Sequence, residues 1–385
     1  MPHNSRMPIR LPAGAACAAL LLAACASTAH PVPVPEPVAA PPAAGLATAP
    51  EPHTVAEAWE SPRTPADELD SLATWTSPDG ATWLLASAKS THRLQVYDAR
   101  DGRPLRSVGA PGKGLGEFDR PNGLAVSGDR LFVVERDNHR VQVFALPGFE
   151  PLGSFGDDVL RSPYGVWLND TEPGELEAYV TDSFMYGERF DVVPPLEELS
   201  QRVRRFRVQF DQAGRLRTTY AGAFGDTTPA GALRLVESIG GDPANDRLLV
   251  ADESRDGADG RGGSTLREYS FDGIPSGRSV PDGSFAAEAE GVALWACGAG
   301  RGYWIAVDQL APLTRFHLFD RATLAPAGTF QGRSTAHTDG VALDTRGTAR
   351  FPRGALYAVN DDASVTAFDL REVAAALGLD RACTD

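Results

Sequence analysis

A repeated strand unit is the feature of this sequence that most restricts its fold. Residues 290–294 are Glu-Gly-Val-Ala-Leu and residues 339–343 are Asp-Gly-Val-Ala-Leu, so an acid, a glycine and an aliphatic strand recur after 49 residues. Related units start near residues 72, 123, 164 and 236, and each offers three or four short strands between Gly, Asp or Pro turns. Residues 93–97 (RLQVY) and 140–144 (RVQVF) form another internal repeat.

Six units of this kind predict an all-β chain folded as a six-bladed β-propeller. Radial repetition of four-stranded sheets is the way in which propellers protect their strand edges. A β-sandwich would not explain a regular period of roughly 40 to 60 residues. We expect one propeller domain over residues 63–385, with a short helix at residues 370–379.

The first 62 residues predict a leader and a tether. Residues 1–24 combine Arg6 and Arg10 with a short apolar stretch, and the sequence LAAC ends at Cys25 like a bacterial lipobox. We expect a lipoprotein signal peptide and lipidation of Cys25; ordinary cleavage near Ala29 is the alternative. Residues 25–62 are rich in Pro and Ala, which is typical of a semi-rigid tether. The predicted location is the bacterial cell envelope, on the periplasmic side of the outer membrane or at the cell surface.

Charge and cysteine content restrict the partners and the compartment. The formal net charge is −15, and without a basic stripe this argues against a nucleic-acid partner. An anionic substrate would need bound cations that invert the local field. Outside the leader, Cys297 and Cys383 could form a disulfide in an oxidising compartment, but the sequence leaves their pairing open. We expect a monomer.

Acidic residues gather at the ends of the predicted inner strands. Glu290 and Asp339 directly precede first strands of their units, and Glu237 lies inside one. Further acids follow second strands, namely Asp252, Glu253, Asp308, Asp361 and Asp362. Because the loops at these two places can meet at one face of a propeller, we expect an oxygen-rich cluster suited to Ca²⁺. Each acid taken alone is equally typical of a solvated turn, and the sequence contains no Asp-x-Asp-x-Asp-Gly calcium loop.

Several of these segments resemble the β-propeller phytases, which are six-bladed, calcium-dependent phosphatases that act on myo-inositol hexakisphosphate. The similarity is strongest in the C-terminal half, and weaker matches extend it to nearly the whole domain. It is carried by residues 289–294 (AEGVAL), 302–309 (GYWIAVDQ), 316–323 (FHLFDRAT), 337–343 (HTDGVAL), 351–362 (FPRGALYAVNDD) and 371–379 (REVAAALGL).

The resemblance implies a calcium-dependent phosphomonoester hydrolase of the 3-phytase type, with Ca²⁺ as cofactor and a phosphorylated small molecule such as phytate as substrate. Glu237, Glu290 and Lys89 are the expected catalytic residues, since calcium ions and a cation would stabilise the transferring phosphoryl group. Substrate phosphate is expected at Lys89, Arg136 and Tyr164. The expected metal ligands are Glu237, Asp252, Glu253, Glu288, Glu290, Asp308, Asp339 and Asp361.

Departures from that family and a second resemblance support an alternative. Residues 67–71 have lost the family's adjacent Asp-Asp-Pro, Asp182 and Ser183 stand where it has a Lys, and His337 stands where it usually has an Asp. Residues 120–144 resemble an NHL repeat, and NHL propellers are mostly binding scaffolds. The alternative function is a non-catalytic NHL-like propeller that binds a periplasmic or envelope partner.

Overall fold

The computed structural model describes residues 51–254, 263–298, 300–380 and 383. The predicted signal peptide, Cys25 and the tether up to residue 50 lie outside the described residues. Within these ranges, 25 strands form six sheets. No helix in the described part of the chain is long and apolar enough to cross a membrane.

Each sheet is one blade, and five blades contain four consecutive strands. Before the first blade come β1 (His53–Thr54) and β2 (Trp59–Glu60). Blade 1 contains β3 (Leu69–Thr76), β4 (Thr82–Ala88), β5 (Arg93–Asp98) and β6 (Pro104–Val108). Blade 2 contains β7 (Pro121–Ser127), β8 (Arg130–Glu135), β9 (Arg140–Ala145) and β10 (Glu150–Phe155). Blade 3 contains β11 (Pro163–Glu172), β12 (Glu175–Asp182), β13 (Val203–Phe210) and β14 (Leu216–Phe224).

The remaining blades follow in the same order. Blade 4 contains β15 (Val236–Asp242), β16 (Arg247–Asp252), β17 (Thr265–Tyr269) and β18 (Pro275–Ser279). Blade 5 contains β19 (Ala289–Ala296), β20 (Gly302–Asp308), β21 (Arg315–Asp320) and β22 (Pro326–Gln331). Blade 6 contains β23 (Val341–Asp344), β24 (Ala355–Asn360) and β25 (Ser364–Asp369), and α1 (Leu370–Leu377) follows it. Short 3₁₀ helices cover Leu196–Gln201 and Pro243–Asn245.

The blades surround a central channel, so the predicted six-bladed β-propeller is confirmed. Their first strands line a cavity of about 500 Å³, to which Leu72, Leu124 and Val166 contribute. In the described residues, six clusters of buried side chains lie between neighbouring blades. Leu85 of blade 1, for example, shares a cluster with Leu131 of blade 2. The alternating apolar residues of each strand thus bury both faces of every sheet.

The N-terminal strands complete the ring. In blade 6 the strand order is β2-β25-β24-β23, so the outermost strand comes from the start of the chain. Strand β1 adds to the edge of blade 5 by pairing in parallel with β22. The propeller therefore includes residues 53–60 of the predicted tether, and the predicted boundary at residue 63 lies too late. Val55, which is only 4% exposed, and Trp59 supply apolar surface that the Pro/Ala-rich composition of this segment did not indicate.

A disulfide joins Cys297 to Cys383. Cys297 directly follows β19 in blade 5, whereas Cys383 lies beyond α1, so the bond attaches the end of the chain to the fifth blade. A cross-link that spans 86 residues is expected to stabilise the fold by about 2–4 kcal/mol, mainly because it restricts the unfolded chain. The pairing that the sequence left open is therefore present.

Candidate active site

Six side chains form a ring at one end of the channel, with one from each blade. Each lies two positions before an aliphatic residue of the inner strand, as Glu290 lies before Val292. The members of this ring are Asp70, Asn122, Tyr164, Glu237, Glu290 and Asp339. Four of the six carry carboxylates, so this mouth of the channel is strongly acidic.

A β-bulge directs these side chains toward the channel mouth. In blades 1 to 5, the register between the first two strands shifts at the ring residue, for example between Ala289 and Val292. Such bulges change the direction of a side chain without ending the strand. A glycine follows the ring residue in four blades because inner strands approach closely there: a Cβ on Gly165 would collide with the carbonyl oxygen of Glu237.

Lys89 neutralises one part of the ring. Its ammonium Nζ lies 2.9 Å from Oδ2 of Asp70 and 3.3 Å from Oδ2 of Asp339, and the residue is 8% exposed. Burial acts to lower the pKa of Lys89, but Asp70 and Asp339 raise it above its ordinary value, so the side chain stays charged. This placement differs from the predicted catalytic and phosphate-binding role, because the ammonium is already paired with two carboxylates and is shielded from solvent.

Three glutamates occupy the adjoining part of the mouth, and we call them the glutamate cluster. Carboxylate oxygens of Glu237, Glu253 and Glu290 lie within 4.8 Å of one another. Glu253 and Glu290 are buried, and Oε1 of Glu253 is a buried atom without a hydrogen-bond partner. Carboxylates this close together repel each other unless a proton or a cation neutralises them. The cluster therefore has the donor chemistry of a site for a hard divalent cation.

Burial and mutual repulsion raise the pKa values of these carboxyl groups. Burial raises the pKa of Glu253 well above its usual value, and the charges of Glu237 and Glu290 raise it further. Burial also raises the pKa of Glu237 and of Glu290, with repulsion from neighbouring acids as the next cause. Burial and Asp70 raise the pKa of Asp339 to about 8, against the opposing effect of Lys89. Strongly shifted groups that share one cleft indicate a functional site.

These shifts predict that the metal-free domain loses stability as the pH rises. A carboxyl whose folded-state pKa is raised binds its proton more tightly when folded, so its contribution is complete below the unfolded pKa of about 4 and is lost as the pH rises through the folded value. With EDTA present, we expect the free energy of unfolding to fall by about 2 kcal/mol or more between about pH 5 and about pH 8.5. Thermal melts at both pH values measure this loss of stability. Calcium should abolish the difference, and a flat or rising profile in EDTA would contradict the prediction.

Asp252 and Asp308 lie outside the glutamate cluster, contrary to the prediction. Each is the last residue of the second strand of its blade, and its carboxylate accepts backbone N–H groups from the loop before the inner strand. Asp252 accepts from Leu235 at 3.0 Å and Asp308 accepts from Ala287 at 2.8 Å. Because side chains alternate along a strand, the next residue after Asp252, which is Glu253, points to the channel mouth instead.

The other predicted ligands are divided between the cluster's surroundings and the surface. Asp361 is exposed and forms an ion pair with Arg63 at 2.6 Å, so it does not join the cluster. Its neighbour Asp362 is half-buried, and burial raises its pKa while the charge of Lys89 opposes the rise. Glu288 is half-buried, and its charge adds to the raised pKa of Glu253, which places it beside the cluster.

A pocket of about 530 Å³ opens beside the glutamate cluster. Arg136, Tyr164 and Glu237 line it together, so the structure brings two predicted phosphate-binding residues next to a predicted metal ligand. Arg161 lines the same pocket, as do Phe184, Met185, Arg189 and Phe190 of an insertion between β12 and β13. Nε of Arg136 lies 2.7 Å from Oδ1 of Asp137, which holds the guanidinium at the pocket wall.

Sequence reasoning missed Asp70, Asn122 and Arg161 as site residues. Nδ2 of Asn122 donates a hydrogen bond of 3.4 Å to Oδ2 of Asp70, and Oη of Tyr164 donates one of 3.3 Å to the same oxygen. The spacing of a polar residue two positions before an aliphatic residue would have identified Asp70 and Asn122 as equivalents of Glu290. Arg161 precedes a strand in a loop, and no repeat marks it.

Comparison with known sequences supports only the resemblance of the second blade to an NHL repeat. Residues 118–144 match the NHL repeat family, which covers a small part of the chain. No curated protein matches the chain in sequence.

Known structures share low similarity with this chain. Hydrazine synthase from Kuenenia stuttgartiensis is 15% identical, with a TM-score of 0.47 over 83% of this chain and 81% of that one. A nidogen/laminin complex is also 15% identical, with a TM-score of 0.47 over 73% of this chain and 87% of that one. The calcium-binding protein regucalcin from Agrobacterium tumefaciens is 13% identical, with a TM-score of 0.46 over 82% of this chain and 96% of that one. Similarities at this level do not indicate a function for this chain.

Proposed function

We propose that this protein is a calcium-dependent phosphomonoester hydrolase of the propeller-phytase type. The observation that carries the proposal is the position of Glu237, which belongs both to the glutamate cluster and to the pocket lined by Arg136 and Arg161. A cation site and an anion-binding wall therefore share one side chain. Phosphoryl transfer needs this combination, because catalysis rests on positioning the phosphoryl group and stabilising its charge.

The residues of the glutamate cluster fit calcium. Three carboxylates offer hard oxygen donors without sulfur or imidazole, which suits Ca²⁺ better than Zn²⁺ or copper. The buried Oε1 of Glu253 has no hydrogen-bond partner, so a cation would satisfy an atom that is otherwise costly to bury. Calcium bound at Glu237, Glu253 and Glu290 would supply Lewis-acid chemistry, namely charge neutralisation at the phosphoryl group and activation of water.

The side chains around the cluster take complementary roles in this proposal. Arg161 binds the phosphoryl oxygens, and Arg136 assists beside its ion pair with Asp137, since both arginines line the pocket, unlike Lys89. Glu237 lines the pocket as well, so it is placed to accept the proton of the attacking water. Lys89 holds Asp70 and Asp339 in place and keeps that part of the ring neutralised. No covalent nucleophile is required.

The test is phosphate release by the purified domain with calcium and with EDTA. Phytate and 1-naphthyl phosphate serve as a polyphosphorylated and a simple substrate, and magnesium serves as the control cation. We expect release with calcium and a loss of at least about 100-fold with EDTA. Absence of release from both substrates at every calcium concentration, together with no calcium-dependent rise in melting temperature, would rule out the proposal.

The second candidate is a non-catalytic NHL-like propeller that binds an envelope partner. The match of residues 118–144 to the NHL repeat family favours it. A binding scaffold would hold its partner through blade surfaces and would lose nothing on removal of calcium. Location in the cell envelope and anchoring through Cys25 remain predictions, which mass spectrometry of the mature N-terminus in a bacterial host would test.

A further inference from the structure

We propose that the pocket beside the glutamate cluster binds phosphate monoesters of apolar, preferably aromatic, alcohols. We call it the insertion pocket, because Phe184, Met185, Arg189 and Phe190 of the insertion between β12 and β13 line it. This inference rests on the proposed phosphatase function and names its substrate class. It predicts a preference against phytate, whose six phosphates would need cations on every side.

Two arginines give the insertion pocket cationic groups, and Asp137, which pairs with Arg136 at 2.7 Å, lines it as well. Arg136 and Arg161 line it, and the guanidinium of Arg161 lies 3.8 Å from the ring centroid of Phe184. Nη1 of Arg161 is 3.4 Å from Oε2 of Glu198, a longer ion pair than a tight bidentate contact. Stacking on an aromatic ring fixes the direction of a guanidinium while its edge remains available to an anion. The part of the lining that contains Arg161 therefore suits a phosphate group.

An unpaired hydroxyl in the lining of the insertion pocket also indicates a polar ligand. Ser183 lines the insertion pocket and is 7% exposed, and its Oγ is buried without a hydrogen-bond partner. A buried hydroxyl without a partner is costly unless a ligand or water satisfies it. Ser183 stands where the phytase-like pattern has a Lys, so this chain offers a neutral donor in place of a charge.

Apolar side chains make up another part of the pocket lining. Phe184, Met185, Phe190 and Leu235 contribute to it, and Phe190 is 75% exposed. A large aromatic side chain that is so strongly exposed on an insertion is expected to be covered by a bound ligand. Arg189 also lines the pocket, but it is 87% exposed and paired with Asp191 at 3.3 Å, so a second phosphate beside these apolar side chains would gain little from it. An aromatic or aliphatic group would instead bury apolar surface, so the mixed lining fits a molecule with one anionic end and one apolar end.

A matched pair of non-hydrolysable probes tests the inference. Benzylphosphonate and methylphosphonate share the anionic group and differ in the aromatic ring, and isothermal titration calorimetry in EDTA and in calcium measures their affinities. We expect benzylphosphonate to bind about tenfold tighter than methylphosphonate, which is the gain expected from burying one ring. Phytate in EDTA should bind no tighter than methylphosphonate.

Two substitutions test the apolar and the cationic part of the pocket lining separately. Phe190→Ser should weaken benzylphosphonate binding by about three- to tenfold and leave methylphosphonate unchanged. Arg161→Gln should weaken both probes by a similar factor. Ile274→Ser is the control, since Ile274 is 65% exposed in the hairpin between β17 and β18 and does not line the pocket. It should change neither affinity.

The outcomes distinguish this inference from the proposed function. Equal binding of the two phosphonates, or an unchanged benzylphosphonate affinity in Phe190→Ser, would overturn the inference even if phosphate is released from phytate. Selective benzylphosphonate binding that depends on Phe190 would support the insertion pocket even if calcium-dependent hydrolysis is absent. In that case the proposed function alone would fail.

Discussion

Glu290→Gln is expected to abolish the calcium response while making the metal-free domain more stable. The substitution keeps the shape of the side chain but removes one carboxylate from a cluster whose oxygens lie within 4.8 Å of one another. Calcium-dependent phosphate release should fall by at least about 100-fold, because the cation loses a charged ligand. In EDTA at about pH 8 the melting temperature should rise, since one repelling charge has gone.

The opposite signs of these two effects make the experiment decisive. A variant that misfolds would lose activity and melt at a lower temperature in both conditions. Asp361→Asn is the matched control, because Asp361 is exposed and paired with Arg63 outside the cluster. It should keep the calcium response and change stability by less than about 1 kcal/mol. An equal loss of calcium response in both variants would show that the cluster has been placed wrongly.

Removal of residues 51–62 is expected to unfold the propeller. The deletion removes β2, which supplies the outermost strand of blade 6, and exposes the edge of β25. The backbone N–H of Ala58 donates to the carbonyl of Ala367 at 2.7 Å, and the ring of Trp59 lies 5.8 Å from that of Tyr357. We expect a loss of at least about 5 kcal/mol, which approaches the whole stability of an ordinary domain. Soluble yield and thermal melts measure it.

A chain that begins at residue 51 is the control for this deletion, because it keeps both N-terminal strands. Glu57→Ala provides a milder version of the same test. The Glu57 carboxylate accepts backbone N–H groups from Arg333, Ser334 and Thr335 at 2.9–3.0 Å, so its loss leaves several donors unpaired. We expect a destabilisation of about 2–3 kcal/mol. A deletion variant that melts like the control would mean that β2 contributes little to ring closure.

Much of the fold could be predicted because each blade repeats one strand pattern. The six unit starts correspond to the inner strands β3, β7, β11, β15, β19 and β23. Ring closure could not be predicted in this way, because it depends on pairing between Trp59 and Ala367, which are distant in sequence. Short strands such as β2 carry too little periodicity to be recognised in a Pro-rich segment.

The candidate site was predictable only in part, for a reason that Asp252 and Glu253 illustrate. Asp252 ends β16 and Glu253 is the next residue, and the sequence alone does not tell which of the two acids faces the channel. In the structure Asp252 binds backbone amides and Glu253 joins the cluster, because adjacent side chains on a strand point to opposite sides. Asp361 and Asp362 are also adjacent acids with different surroundings, the first exposed and the second half-buried, but they lie in the turn after β24 with φ values of 53° and 52°.

The sequence by itself determined the number of blades, the all-β class and the presence of acids at one end of the inner strands. These follow from local periodicity and from turn residues, which act over a few positions. Tertiary structure alone decided which acids lie close together. It also decided that Lys89 forms ion pairs with Asp70 and Asp339, and that Arg161 and Phe190 line the same pocket as Glu237. Such contacts join blades that are far apart in sequence, so they depend on how the ring closes and on the direction that each bulge gives a side chain.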